Sequence, residues 1–237
     1  MRKYALALTA ALLLVVVPAS AAVEFIAADS GAVTSLTLPG AWAAGDIAVV
    51  FAFRSGNTTP PTLPTGWTNI NNGATGGGGT NCSSRSGYRV LQAGDSTTGT
   101  WTNATHLAVS IYRGQKAASP IGGSALGTQN STSTIMRFAA LAQTESTSVF
   151  LHGGGKVGTF TAAAATGWTL RSSFDTGANA RIQFSDFLAP GGDWATQDVS
   201  VGGTSSKYHS QTIELLAEPP PSTRSRAIVI SRLLPRP

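Results

Sequence analysis

The chain has little charge: Asp, Glu, Lys and Arg together make up 11% of its 237 residues. It has a single cysteine, Cys82, so no internal disulfide can form. Cys82 sits in a Gly/Ser/Asn-rich stretch that reads as a loop. There are three histidines, His106, His152 and His209, and no H-x-x-x-H or C-x-x-C spacing, so a metal site has no support in the pattern. There is no G-x-S-x-G elbow for a serine hydrolase. No interior stretch shows a sustained 3.6-residue apolar period, and none past the N-terminus reaches the roughly 20 apolar residues a membrane helix needs. These absences argue against helical domains, metal chemistry and most hydrolytic chemistry.

The isoelectric point of 9.8 misleads. Arg2 and Lys3 lie at the start, and Arg224, Arg226, Arg232 and Arg236 lie near the end. Between residues 22 and 217 there remain ten basic and ten acidic residues. A near-neutral body offers no basic face for nucleic acid. The tail arginines read as a solubilising or contact segment. Asn57, Asn81, Asn103 and Asn130 each begin an N-x-S/T triplet, which a Ser/Thr-rich chain produces by chance.

What the chain does have is an internal repeat. Residues 47–68 read IAVVFAFRSGNTTPPTLPTGWT, and residues 148–169 read SVFLHGGGKVGTFTAAAATGWT. Each is an apolar run, a small-residue loop and then Thr-Gly-Trp-Thr. Each is followed by a further strand-like run (87–91; 181–188), a Gly-Asp turn with a tryptophan (Trp101; Trp194), and a closing apolar run (106–112; 211–216). Trp67 and Trp168 are 101 residues apart. The short, β-branched runs separated by Gly, Pro, Asn and Asp predict an all-β chain. We expect one β-sandwich of jelly-roll type, built from two diverged four-strand halves, about 22–125 and 126–218. Phe51 and Phe53 alternate with Ala52 and Arg54, and Val109 and Ile111 with Ser110 and Tyr112, which predicts one core face and one exposed face. The Thr-Gly-Trp-Thr loops are expected to place each tryptophan as a plug at an end of the sandwich, with Gly66 and Gly167 permitting the turn.

Outside this body lie two further segments. Met1-Arg2-Lys3, the apolar run 4–18 and Ala19-Ser20-Ala21 have the three parts of a secretory signal peptide, with cleavage expected after Ala21. Pro219–Pro221 ends the body, and residues 226–237 (RAIVISRLLPRP) are apolar enough to form a strand. Such a strand, centred on Ala227, Ile228, Val229, Ile230, Leu233 and Leu234, is a candidate for pairing with its own sheet or with a neighbour's edge.

Candidate chemistry is sparse. His152-Gly153-Gly154-Gly155 matches the oxyanion loop of some lipases but lacks the elbow that loop serves. Gly154-Gly155-Lys156 lacks the Ser or Thr, and the preceding spacing, of a phosphate-binding loop. Asp186 and Asp193 are the pair that could be cast as glycosidase carboxylates. Asp46 and Asp95 each follow a glycine and read as turn caps. Trp67, Trp101, Trp168 and Trp194 occupy matching positions of the repeat and are expected in the core. Trp42 lies outside the repeat and, with Tyr112, is a candidate for stacking on a glycan.

The order AGDIAVVFAF, P-T-G-W-T, GYRVLQAGDSTTGTWTNATHLAVSIYRG, PIGG, GWTLR and a closing IELL run resembles a widespread group of phage, prophage and secreted bacterial proteins, over residues 24–217. The resemblance implies a β-sandwich with a structural or surface-binding role and no catalytic residues. The expected function is therefore a non-enzymatic virion protein, tail- or capsid-associated, for assembly or host-surface attachment. The alternative is a secreted bacterial surface module that binds glycan or forms filaments. Expected partners are copies of the chain, other virion or surface proteins, or a host glycan. No cofactor is expected, and the location is virion or extracellular rather than cytoplasmic.

Overall fold

The computed structural model describes residues 22–75, 81–175, 180–189, 191–203 and 206–219. These residues are all-β, with twelve strands and no helix. The first half contains β1 (Glu24–Gly31), β2 (Ile47–Ser55), β3 (Thr68–Thr75), β4 (Cys82–Val90) and β5 (His106–Arg113). The second contains β6 (Ile121–Ser133), β7 (Ile135–Phe138), β8 (Val149–Val157), β9 (Thr169–Asp175), β10 (Ala180–Phe187), β11 (Gln197–Ser200) and β12 (Ser206–Leu215). The first half forms a sheet of order β1-β5-β2-β4-β3, and the second a sheet of order β6-β12-β8-β10-β9. Matching β1 to β6, β2 to β8, β3 to β9, β4 to β10 and β5 to β12 makes the two orders identical. A small ribbon, β7 with β11, accompanies the second sheet.

The duplication is thus real, and each repeat is one complete antiparallel sheet. Each sheet has five strands rather than the expected four, because β1 and β6 also belong to the unit. β6 escaped the sequence reading because IGGSALGTQNSTS is Gly-rich with only two large or branched apolar residues, Ile121 and Leu126. It contains residue 125, so the expected half-boundary falls inside a strand, and the change of sheet lies between β5 and β6. The expected jelly-roll winding is not seen in this strand order: a jelly roll sends consecutive strands to opposite sheets, whereas here every sheet takes its strands from one half.

The sheets pack face to face, β1 over β9, β5 over β10, β2 over β8, β4 over β12 and β3 over β6. In repeat terms each relation is reciprocal, as in a two-fold dimer. The core between them contains Ile47, Val49, Phe51, Phe53, Tyr112, Leu151, Ile182, Phe184, Ile213 and Leu215. The outer faces are covered as well. Leu36, Leu38, Trp67, Leu91 and Trp101 cover Ala48, Val50, Ala52, Leu107, Val109 and Ile111 of the first sheet. Met136, Phe138, Phe160, Trp168, Val199 and Val201 cover the second. β2 and β8 are therefore buried on both faces, which explains why they read as nearly continuous apolar or glycine runs. The expected exposed face is absent there: Val109 and Ile111 pack under the outer loops, while Tyr112 points between the sheets.

The repeated tryptophans plug these outer faces, not the ends of the sandwich. Trp67 and Trp101 meet at 5.3 Å and 69°, and Trp168 and Trp194 at 4.8 Å and 70°. Both are edge-to-face pairs, a geometry that contributes about 0.5–1.5 kcal/mol beyond area burial. Gly66 and Gly167 precede the tryptophans with φ of +85° and +84°, the left-handed conformation that an L side chain resists.

Candidate functional site

The glycine run of β8 has a packing role. A Cβ at Gly153 would stand 2.6 Å from the Phe51 ring, and one at Gly155 would collide with Phe53. Gly154, on the other face, abuts Met136. His152-Gly-Gly-Gly is therefore a slot for two phenylalanines of the opposite repeat, with no oxyanion or phosphate geometry.

Beside this slot a polar seam crosses between the sheets. Ser84 Oγ lies 2.6 Å from His209 Nδ1, Gln211 Nε2 donates to Ser84 Oγ at 3.0 Å, and Ser86 Oγ donates to Gln211 Oε1. All four residues are fully buried, and His209 Nε2 has no partner. A serine hydroxyl bonded to an imidazole is the first half of a nucleophile–base pair. Here it has no route to solvent, and His209 Nε2, the nitrogen that an orienting carboxylate would hold, has no partner. Burial lowers the His209 pKa to about 4.

At the opposite side of the core, Tyr112 Oη donates to Asp186 Oδ2 at 3.1 Å, and Arg171 Nε reaches Asp186 at 2.8 Å. The Arg171 guanidinium also covers the Phe25 ring at 4.0 Å. Burial pushes the Asp186 carboxyl up, against the pull of Arg171 and the Tyr112 hydrogen bond. Tyr112 rises well above its ordinary value through burial and the Asp186 charge. Tyr112 is therefore a core residue, and a stacking role at the surface is corrected by its 0% exposure. Trp42 is half-buried against the outer core of the first sheet. Asp193 is exposed and accepts from the Gln143 amide at 3.0 Å, so it does not face Asp186 as a catalytic pair would. Ala227, Ile228, Val229, Ile230, Leu233 and Leu234 lie outside the described residues.

His152 is a second buried imidazole. It is stacked between Phe138 (4.0 Å, 4°) and Trp168 (3.4 Å, 12°), with both ring nitrogens unpartnered. Burial lowers its pKa well below the usual value. Cys82 is also in the core, at the start of β4 rather than in a loop, with Sγ 3.3 Å from Thr75 Oγ1. Burial raises its pKa to about 11, against the Thr75 hydrogen bond and the Lys207 charge. Among the described residues no cluster of His, Cys, Asp and Glu could hold a metal, and no helix is long and apolar enough to cross a membrane.

The chain offers a ligand an open pocket of about 190 Å³ at the β9 edge, lined by Phe160, Thr161, Ser173, Phe174, Asp175 and Arg181 among others. Arg181 is ion-paired with Asp175, and its guanidinium lies 5.8 Å from the Phe160 ring. Phe174 is one of the few large apolar side chains left exposed.

No family model, curated protein or solved structure matches this chain.

The assignment of function therefore rests on the pocket, the sheet edges and the resemblance carried by the sequence. The pocket escaped sequence reading because β9, β10 and the 160–162 segment meet only in the folded sandwich, and no spacing links them.

Proposed function

We propose that this protein is a non-enzymatic virion component, a tail- or capsid-associated β-sandwich that acts by assembly or host-surface attachment. The observation that carries this reading is an asymmetry of edges. On one side of the sandwich the edge strands β1 and β9 carry Glu24, Asp29, Arg171 and Asp175. On the other side the edge strands β3 and β6 have no charged residue at all. Proteins that stay apart protect sheet edges with charge, proline or brevity, and β6, at 13 residues, uses none of these. A long, uncharged edge suits addition of a strand from another chain. The apolar stretch 227–234 is this chain's own candidate for that strand, donated between copies. The test is removal of residues 219–237, followed by analytical ultracentrifugation and near-UV circular dichroism. The expected result is a folded species that no longer assembles. Continued assembly of the truncation, or a native protein found only as a free monomer and never in particles, overturns the reading.

A second reading, a secreted bacterial surface module that binds glycan, is favoured by the open pocket whose lining includes Phe160, Phe174 and Arg181 and by the signal-like segment 1–21. Its test is a glycan array probed with the wild-type chain and with Arg181→Gln. Binding to sugar lost in the variant supports it, and a blank array for the wild type removes it.

A further inference from the structure

The β9-edge pocket adjoins a charge imbalance. Arg181 and Lys156 are direct cross-strand neighbours on β10 and β8. Like charges placed opposite each other in a sheet repel. Lys156 is fully covered, its ammonium donating to the Gly202 carbonyl at 3.0 Å, and its other cross-strand neighbour is Tyr208 rather than an acid. Asp175 answers Arg181, but its side chain is 43% exposed and shared with solvent. Two cations thus stand against one half-solvated carboxylate. The residues that link β9 to β10 (176–179) and those at 204–205 bring no further charge in the sequence. Burial, then the charge of Arg181, lowers the Lys156 pKa, as expected of a cation held without a full counter-charge.

Arg181 lines the pocket, so the missing counter-charge can be supplied from solvent. A guanidinium has five N–H donors, and one carboxylate does not exhaust them. Thr161 and Ser173 place hydroxyl-bearing residues along the same wall, and Phe160 and Phe174 supply apolar surface. The pocket is too small for a folded partner and has room for one sugar-sized group. We propose that it binds an anionic group, a carboxylate or sulfate borne by a small polar ligand such as an acidic sugar, with Arg181 as the anchoring residue. This inference is independent of the assembly reading, because a single copy contains the whole site.

The full chain is titrated by calorimetry with glucuronate, glucose and inorganic sulfate at matched ionic strength, and the same series is run on Arg181→Gln and Ser173→Ala. Glucuronate should bind with millimolar or tighter affinity, glucose at least ten-fold more weakly, and Arg181→Gln should lose at least ten-fold for glucuronate. Sulfate binding that shares the Arg181 dependence shows that the anion alone suffices; sulfate failing while glucuronate binds shows that the sugar ring contributes. Tryptophan fluorescence reports whether Arg181→Gln has folded, and Ser173→Ala, which keeps both cations, should weaken glucuronate only a few-fold. Equal affinity for glucose and glucuronate, unchanged glucuronate affinity in a folded Arg181→Gln, or no binding of either anion overturns the proposal.

Discussion

Phe51 of β2 occupies the space that Gly153 of β8 leaves empty, at the centre of the sandwich where the two repeats face each other. In strand register, Phe51 and Phe53 pair with Ala108 and His106 of β5, while Gly153 and Gly155 pair with Gln211 and His209 of β12. The phenylalanines and glycines therefore hold equivalent positions in the two repeats. A large side chain in one repeat faces a glycine in the other, because a symmetric pair of large or of small side chains would overfill or void the same volume.

Gly153→Val should therefore destabilise the protein by about 1–3 kcal/mol through overpacking. Phe51→Ala alone should cost roughly 3–5 kcal/mol through the cavity it leaves. The double variant should lose clearly less than the sum, which a denaturant double-mutant cycle reads directly. Additivity of the two changes would contradict the packing described.

Acid should weaken the fold as the buried histidines are forced to take up protons. His209 has a folded-state pKa near 4 against 6.5 for the free group. A lowered histidine pKa means the unfolded chain takes up a proton that the folded chain refuses. Stability is thus complete above about pH 6.5 and falls as pH drops toward 4, by roughly 3 kcal/mol for a shift of this size. His152 and His106 are shifted in the same direction by burial and add to the effect. Urea midpoints measured from pH 7.5 to 4.5 should decline, and His209→Gln should flatten the slope. A flat profile in the wild type would refute the buried, neutral state of His209.

The Asp186 carboxylate depends on Arg171. Arg171→Met leaves a buried charge with only the Tyr112 hydroxyl, and should cost about 3–5 kcal/mol. The double variant Arg171→Met/Asp186→Leu should recover much of this, since an apolar pair of similar volume removes the desolvation cost. Thermal melts of the three chains test the order. An Arg171→Met protein as stable as wild type would show that the ion pair contributes nothing.

The Cys82 thiol is buried with its pKa raised to about 11. It should not react with Ellman's reagent in the native protein at pH 8, and should react at once in denaturant. Because thiolate and access are both needed for reaction, labelling at the native rate of an exposed cysteine would place Cys82 outside the core.

Much of this architecture was legible in the chain. Thr-Gly-Trp-Thr recurring 101 residues apart announced the duplication, and the left-handed Gly66 and Gly167 followed from it. The even charge balance of the body removed a basic binding face. Local pattern carried these readings because turn chemistry and strand propensity act over a few residues. The strand β6 was not legible, since a Gly/Ser/Thr edge strand is held by backbone pairing to β12 and has little apolar signature of its own. Tyr112 could not be told from an exposed aromatic, because alternation identifies two faces without saying which is covered, and here both are.

An all-β chain made of two related units could be read from the residues alone, because strand period, turn residues and repeats are properties of neighbours along the chain. The tertiary structure alone decided that each repeat forms a whole sheet, that Phe51 fills the place of Gly153, that His209 and Asp186 are sealed inside, and that Lys156 and Arg181 stand opposite each other beside a pocket. Those relations join residues from about 25 to more than 120 positions apart, and only the register of the strands and the stacking of the sheets bring them together.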